Sequence, residues 1–220
     1  MLLTYRRSEA AAQTVADGIA AAGGRALVAR ADLGTRAGCE ALVAEASERL
    51  GGLDVWVNNA GADVLTGDAA GWDWERKLDL LLAVDVKGTI ACSYAAGTLM
   101  RDQAGGGAIV NMSWDHVTSG MAGADPEVFS AVKGGVLAYS KSLARALAPS
   151  VRVNVLCPGW IDTAFAQDAD PEFRRSVAES TPLGRWGTPA DVASAALYLA
   201  SPAASFITGQ AININGGLVM

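Results

Sequence analysis

Residues that bind metals or form disulfides are scarce in this sequence. It contains a single histidine, His116, and three cysteines without CxxC spacing, Cys39, Cys92 and Cys157. Widely separated cysteines in an odd number indicate buried thiols of a reduced, cytosolic protein rather than a disulfide framework. We therefore predict a cytoplasmic protein and no metal site.

Clustered positive charge and long apolar runs are lacking too. The net charge of -6 gives no reason to expect nucleic acid, because phosphate binding needs grouped lysine and arginine side chains. No apolar run approaches the ~18 residues that a membrane-spanning helix needs. The opening residues MLLTYRR lack the apolar core of a signal peptide. The sequence therefore predicts neither a nucleic-acid partner nor a membrane partner.

The chain instead alternates strand-like and helix-like segments with short links. With 51% hydrophobic and 18% charged residues over 220 positions, it can bury the core of one domain, 1–220. Strands are expected at 2–5, 26–29, 53–57, 108–112, 151–156 and 211–214. Helices are expected from a Ser8 cap to about 22, and at 35–50, 72–101 with a break near Asp85, 126–148, 171–180 and 189–200. This alternation predicts an α/β fold with a doubly wound parallel sheet. The run at 53–57 (LDVWV) is typical of a strand covered on both faces.

The central stretch, residues 109–135 (IVNMSWDHVTSGMAGADPEVFSAVKGG), combines an apolar run, a polar loop and a helix that carries Lys133. Open α/β sheets build their sites where such loops follow the carboxyl ends of strands. We therefore expect the functional site here.

Motifs on both sides of this stretch resemble those of the short-chain dehydrogenase/reductase family. They are LDVWVNNAG at 53–61, Lys133, PGWIDT at 158–163, and the tail from Pro182 to Gly217. The resemblance covers essentially the whole chain and is closest to 3-oxoacyl-carrier-protein reductase-like members. It implies a Rossmann-like domain, a nicotinamide cofactor and a small carbonyl or alcohol substrate. It also implies a homodimer or homotetramer that uses the helices near 86–102 and 127–148.

Cofactor contacts are expected first at Asn59, Ala60 and Gly61, whose small side chains and amide groups let a flat molecule approach the backbone. An ordinary strand-to-loop turn is the alternative. The resemblance places Arg6 and Arg7 at the adenosine ribose, where arginine accommodates a 2′-phosphate and favours NADP over NAD. A solvated arginine pair is the alternative. The resemblance also implies cofactor contacts from Asp32, Lys133, Pro158, Gly159, Ile161 and Thr163. For Asp32 the alternative to a cofactor contact is a residue that only begins the following helix.

The front of the chain departs from the family. Members begin with a strand and a Gly-rich turn that holds the pyrophosphate, and this sequence begins at their second strand. We expect either that the strands at 2–5 and 53–57 pair directly, or that the true start lies upstream of Met1, and we favour the second. Upstream codons should then encode a strand and a TGxxxGxG-like turn. Without that turn, cofactor binding itself is in question.

The catalytic set departs as well. The family uses Asn, Ser, Tyr and Lys, with the tyrosine as proton donor. Here the asparagine position is Asp85, the serine position is Trp114 with Ser113 one residue early, and the tyrosine position is Phe129. Lys133 alone keeps its usual identity. The resemblance therefore implies an NADP-type oxidoreductase with a degenerate site and impaired or altered activity.

Other groups offer alternatives. Asp115 and His116 follow Trp114, and histidine is the commonest acid–base residue because its pKa lies near neutrality. A dehydratase or isomerase that uses His116, Asp115 and Lys133 is one alternative function, and a non-catalytic binding or regulatory protein is another. A polar loop pair facing solvent is the plainer interpretation of residues 115 and 116. Trp160 and Trp186 are expected either to line the substrate side or to belong to the core.

Overall fold

The computed structural model describes all 220 residues apart from the side chain of Asp168. Its strands are β1 (Leu2–Tyr5), β2 (Leu27–Arg30), β3 (Val55–Asn58), β4 (Gly107–Met112), β5 (Val151–Pro158) and β6 (Ala211–Ile214). Its helices are α1 (Glu9–Ala21), α2 (Arg36–Leu50), α3 (Trp74–Leu81), α4 (Thr89–Asp102), α5 (Ala124–Leu147), α6 (Ala164–Asp168), α7 (Pro171–Ser180) and α8 (Pro189–Ala200). At least one helix separates each pair of consecutive strands, in line with the predicted α/β pattern.

The strands form two parallel sheets. β1 pairs with β2, and the other sheet has the order β3-β4-β5-β6. In the described part of the chain β1 does not pair with β3, so the expectation that these two strands close the sheet is wrong. Each of them keeps an open edge. An unpaired backbone edge in a β-sheet can accept a further strand, so the prediction of a strand–helix unit upstream of Met1 stays a prediction.

β3 is not covered on both faces, and that expectation is also wrong. Val55 and Val57 are 40% and 44% exposed, whereas the side chain of Trp56 packs against the core on the opposite face. Successive side chains of a strand point to opposite faces of the sheet. One face of β3 is therefore buried and the other lies open beside its unpaired edge.

Local signals explain where the helices begin. Thr188 and Asp191 form a capping box at the start of α8, followed by Pro189 in the first turn. The Asp170 side chain accepts hydrogen bonds from the first backbone amides of α7. Such caps satisfy amides that have no partner within the helix. Ser8 stands at the cap position of α1, but its side chain makes no capping hydrogen bond.

The helical run Trp74–Asp102 is long and apolar enough, by length and composition alone, to cross a membrane. Here it is part of the domain core, since Cys92, Ala96 and Met100 of α4 pack with α2, α5 and the sheet. The predicted break near Asp85 is a π-helical segment, Leu82–Gly88, between α3 and α4. π-Helical turns are frequent at functional sites, and this one lies under the site described below.

Candidate functional site

The carboxyl ends of β3 and β4 lie next to each other at one edge of the larger sheet. The Asn58 side chain is buried there and accepts a hydrogen bond from Trp56 Nε1 at 2.8 Å. Its amide nitrogen donates to Asn111 Oδ1 at 2.7 Å and to Ser93 Oγ at 2.8 Å. This buried network joins the two strand ends to α4 and fixes the starting point of the loop that follows β3.

The loop after β3 presents its backbone to solvent. Asn59, Ala60 and Gly61 are exposed, and a Cβ atom at Gly61 would lie 3.1 Å from Asp85 Oδ2. A larger residue at 61 would therefore crowd the buried carboxylate. The open backbone fits the predicted approach of a flat cofactor, and the cofactor role of these three residues stays a prediction.

Asp85 is 2% exposed and lies in the π-helical segment. Its Oδ1 accepts a hydrogen bond from the Ala62 amide at 2.8 Å. Its Oδ2 lies 2.8 Å from Lys133 Nζ. That contact is an ion pair without hydrogen-bond alignment, because Oδ2 has no hydrogen-bond partner among the described residues. Asp85 thus joins the loop after β3 to the lysine on α5.

Lys133 is buried, and its ammonium lies 5.3 Å from the centre of the Phe129 ring. Ser113, at the end of β4, donates its hydroxyl hydrogen to the Lys133 carbonyl oxygen at 2.9 Å. The Ser113 hydroxyl is therefore committed to helix α5 rather than turned toward a bound substrate. Of the predicted catalytic positions, Asp85, Lys133 and Phe129 come together. Ser113 is hydrogen-bonded to α5, the helix that carries Lys133 and Phe129.

Aromatic rings form a row beside the lysine. Phe129 meets Trp114 edge to face at 5.4 Å between ring centroids, and Trp114 meets His116 at 5.0 Å. Phe129 has no proton to donate, and Trp114 stands where the resemblance places a serine. An indole carries an N–H donor but no hydroxyl. The row therefore gives the site an apolar wall with His116 at its far end.

Asp115 and His116 are not a polar pair facing solvent, so that interpretation is wrong. Asp115 is 2% exposed, and its Oδ1 lies 2.7 Å from His116 Nδ1. Its Oδ2 accepts a hydrogen bond from Asn215 Nδ2 at 3.1 Å. A Cβ atom at Gly159 would lie 2.8 Å from the same oxygen. Loops after β4, β5 and β6 thus surround one buried carboxylate.

The side chain of Asn215 is the part of this arrangement that sequence reasoning missed. It lies 100 positions from Asp115 along the chain, directly after β6 and before Gly216. The signal available was a polar residue directly after the last strand, where parallel sheets build sites. Cys157 lies at the end of β5, and burial raises the pKa of its thiol to about 11. All three cysteines are buried free thiols, as predicted.

The predicted adenosine end lies at the carboxyl end of the small sheet. Arg6 and Arg7 are exposed directly after β1, and the Arg6 carbonyl oxygen accepts a hydrogen bond from Arg30 Nε at 3.2 Å. Asp32 follows β2, and its Oδ1 accepts a hydrogen bond from the Gly34 amide at 3.0 Å. Its carbonyl oxygen accepts one from the Thr35 hydroxyl at 3.2 Å. These bonds are those of a helix-entry residue, and the cofactor contact of Asp32 stays a prediction.

The loop after β5 is fixed through its backbone. The Gly159 amide donates to the Ile214 carbonyl at 3.1 Å, and the Thr163 amide donates to the Ile161 carbonyl at 2.8 Å. Ile161 also pairs with Gly187 in an isolated parallel bridge. Pro158 ends β5 at the start of this loop. The backbone is positioned beside the site, and the predicted cofactor contacts of this loop stay untested.

Trp160 and Trp186 belong to an aromatic cluster. Trp186 is 8% exposed and donates its indole hydrogen to the Arg174 carbonyl at 2.9 Å. Trp160 stacks on Phe165 at 6.1 Å and meets Phe173 edge to face at 5.3 Å. Trp186 is therefore a core residue, as one of the two interpretations expects. Beside the cluster, a cleft of about 450 Å³ separates residues 65–70 from α6 and α7, with Phe165 and Phe173 in its wall.

Known proteins are similar to this chain in both sequence and fold. A family model described as enoyl-(acyl carrier protein) reductase matches residues 1–219. A variant of a Serratia marcescens short-chain dehydrogenase/reductase superposes with a TM-score of 0.88 and 31% identity, covering 100% of this chain and 87% of that one. The chain belongs to the short-chain dehydrogenase/reductase family. This is a family of oxidoreductases with a nicotinamide-binding Rossmann fold and small-molecule substrates, so the predicted family and fold class are confirmed.

Two further relatives indicate the range of the family. The 3-oxoacyl-[acyl-carrier-protein] reductase of Synechocystis sp. is 34% identical, over 100% of this chain and 87% of its own length. A gluconate 5-dehydrogenase from Burkholderia cenocepacia, solved with NADP and tartrate, has a TM-score of 0.85 and 28% identity, covering 99% of this chain and 84% of that one. The similarity thus extends over nearly all of this short-chain dehydrogenase/reductase chain.

Proposed function

We propose that this chain is an NADP-dependent oxidoreductase that acts on a small carbonyl or alcohol substrate with an altered catalytic set. The observation that carries the proposal is the position of Lys133. Its buried ammonium lies 2.8 Å from Asp85 Oδ2, and the same carboxylate crowds Gly61 in the exposed loop after β3. The lysine therefore lies close to the backbone that a nicotinamide would approach.

The residues present fit the two ends of a dinucleotide. Arg6 and Arg7 are exposed beyond β1, and a guanidinium group matches the oxygens of a 2′-phosphate. At the other end, an ammonium group has three N–H donors, so Lys133 retains donors for ribose hydroxyls besides its contact with Asp85. When bound, the cofactor would supply or accept the hydride. Support for NADP over NAD comes from these arginines and from the NADP in the related gluconate 5-dehydrogenase structure.

The resemblance places Phe129, which has no proton to donate, at the position of the family's proton donor. The Ser113 hydroxyl is bonded to the Lys133 carbonyl. A positioned general acid contributes about 10²–10⁴-fold to a rate. We therefore expect reduction of an ordinary ketone to be slow unless another group supplies the proton. The same observation favours a second candidate, a non-catalytic protein of this fold that binds a nucleotide or regulates a partner.

Titration of the purified protein with NADPH, followed by nucleotide fluorescence, tests the proposal. We expect saturable binding that Arg6→Ala weakens more for NADPH than for NADH. Arg101→Ala is the matched control, because Arg101 is equally a surface arginine but lies at the end of α4. No binding at millimolar NADPH, in this chain or in an upstream-extended form, would remove the oxidoreductase proposal. Binding without turnover of any carbonyl probe would favour the non-catalytic candidate.

We also propose a cytoplasmic homodimer or homotetramer. The predicted interface helix α4 exposes Ile90, Tyr94 and Leu99, with Tyr94 70% exposed. Large apolar side chains on a surface indicate contact with another molecule when they lie together. Ile90 and Tyr94 are four positions apart and share one face of the helix, whereas Leu99 lies on the side opposite Ile90. Buried free thiols favour a reducing compartment. Sedimentation of the purified chain at several concentrations tests the oligomeric state, and a monomer at all of them would contradict it.

A further inference from the structure

The proposed oxidoreductase needs a group that exchanges a proton with the substrate oxygen. Phe129 has none, and the Ser113 hydroxyl is engaged with α5. The Lys133 ammonium is paired with the buried carboxylate of Asp85. His116, just after β4, is also paired with a carboxylate, that of Asp115, but only through Nδ1, and its side chain is 15% exposed.

The position of His116 is set by the carboxylate beside it. The Asp115 side chain is 0% exposed, and its two oxygens have different partners, His116 Nδ1 at 2.7 Å and Asn215 Nδ2 at 3.1 Å. Gly159 leaves room for it, because a Cβ atom there would lie 2.8 Å from Asp115 Oδ2. Residues that follow three different strands therefore surround this carboxylate. A polar loop pair facing solvent would not need such partners.

This arrangement determines which nitrogen of the imidazole can react. An ionised carboxylate only accepts hydrogen bonds, so His116 Nδ1 carries a hydrogen toward Asp115. His116 Nε2 is then left without a hydrogen-bond partner among the residues described by the structure. Trp114 packs against the ring at 5.0 Å between centroids and limits its rotation. A histidine oriented in this way by a buried aspartate is a general acid and base in other enzymes.

We propose that His116 is the proton-transfer residue of this site and that Asp115 is its positioning residue. This inference rests on the proposed oxidoreductase function. In the reductive direction, a bound reduced nicotinamide would supply the hydride to the carbonyl carbon, and the carbon–oxygen π bond would break. The substrate oxygen takes the proton from Nε2 of the His116 imidazolium and becomes a hydroxyl. The imidazole is left neutral, still donating Nδ1–H to Asp115, and regains its proton from water.

Asp115 is the ionisable side chain bonded to the His116 ring. Cys157 lies near Asp115, and burial raises the pKa of its thiol to about 11, so the thiol stays neutral near pH 7. Reduction needs the imidazolium and should slow as pH rises, whereas alcohol oxidation needs the neutral ring and should accelerate.

Nuclear magnetic resonance tests the arrangement without any turnover. Because His116 is the sole histidine, labelling with ¹⁵N-histidine gives the signals of one ring. We expect the neutral ring to carry its hydrogen on Nδ1. In Asp115→Asn the new amide would turn its oxygen to Asn215 and its NH₂ group to His116, so the hydrogen should move to Nε2. A wild-type ring with its hydrogen on Nε2 would overturn the proposal.

Kinetics with NADPH and acetoacetyl-CoA as the probe test the role itself. His116→Gln should lower kcat by about 10²-fold or more, abolish the bend in the pH profile and leave NADPH affinity unchanged. The control is Ser119→Ala, an exposed hydroxyl in the same loop, which should change none of these. Unchanged kcat and pH profile in His116→Gln would sink the proposal.

The two hypotheses fail in different ways. Loss of NADPH binding in the wild type removes the oxidoreductase function, whatever the imidazole does. If NADPH binds but the probe is not reduced, the ¹⁵N signal decides. A change in the ¹⁵N chemical shift of Nε2 on adding acetoacetyl-CoA supports contact between His116 and a carbonyl ligand. An unchanged chemical shift overturns the proposed role of His116. Exchange of the C2 hydrogens of the probe with solvent in the absence of nicotinamide, lost in His116→Gln, would support the proton-transfer role and remove the hydride step.

Discussion

Lys133 Nζ and Asp85 Oδ2 form a buried ion pair 2.8 Å apart, with side chains 9% and 1% exposed. The resemblance places an asparagine of the family where this chain has Asp85, and an asparagine would not give the lysine a full negative charge to pair with. Here the ammonium is neutralised inside the protein. Removal of one partner of a buried pair leaves the other charge without compensation, which is more costly than the pair itself is stabilising.

Asp85→Asn and Lys133→Met should each lower the free energy of unfolding by about 3 kcal/mol, because each leaves one buried charge unpaired. The double variant should lose less than the sum of the two. Urea denaturation of the four proteins gives the coupling between the residues. Additive losses would contradict the pairing described here.

Phe129→Tyr should restore a proton donor to the site. The Phe129 ring centre lies 5.3 Å from the lysine ammonium, so a phenol there would have a cation nearby. In the His116→Gln background we expect NADPH-dependent reduction of acetoacetyl-CoA to recover by about 10²-fold. Phe129→Leu is the control and should give no recovery. Equal rates for the tyrosine and leucine variants would mean that the altered framework cannot use a phenol.

The stabilising contribution of Asp191 should be lost in acid. The paired hydrogen bonds from Arg185, at 2.8 and 3.0 Å, and those from Thr188 lower the pKa of this carboxyl. A pKa depressed on folding contributes stability above the unfolded value of about 3.9, and that stability disappears as the pH falls toward the folded value. Asp191→Asn should therefore be less stable than wild type at about pH 6, and the difference should shrink below about pH 4. Urea denaturation across this range checks the sign, and a constant difference would contradict it.

Val57 and Val110 are register partners on β3 and β4, yet they differ in burial. Val57 is 44% exposed and Val110 is 0% exposed. Val110→Thr should cost about 1–3 kcal/mol because it buries a hydroxyl, whereas Val57→Thr should stay within about 0.5 kcal/mol. In a form of the protein extended upstream by a strand and helix, the Val57 variant should become costly as well. Equal losses for the two variants in this chain would contradict the open face of β3.

Elements with strong terminal signals were predictable from sequence. The expected bounds 171–180 and 189–200 match α7 and α8, because Asp170 and Thr188 each stand before a proline that can begin a helix. The position of Ser8 before α1 was predictable, but the absence of a capping hydrogen bond from its side chain was not. The sequence could not predict whether both faces of β3 are covered. A continuous apolar run indicates a preference for burial, but it does not show that a neighbouring element is present to cover the strand.

The side-chain partnerships of the site follow a different rule. Asp85 and Lys133 are 48 positions apart, and Asp115 and Asn215 are 100 apart. No local periodicity connects such residues, because only the packing of elements distant in sequence brings them together: two helical segments for Asp85 and Lys133, and two strand ends for Asp115 and Asn215. The sequence therefore predicts which chemistry-bearing residues reach this edge of the sheet. Which carboxylate holds the lysine and which holds the histidine depends on the fold.

The open edge of β3 also affects how the purified protein behaves in solution. Charged residues and prolines keep exposed strand edges from pairing with other chains. The residues of this edge, Val55–Asn58, include neither. As concentration rises, we expect copies to add strand to strand along this edge. Binding and activity are therefore best measured in dilute samples, with light scattering used to detect aggregates.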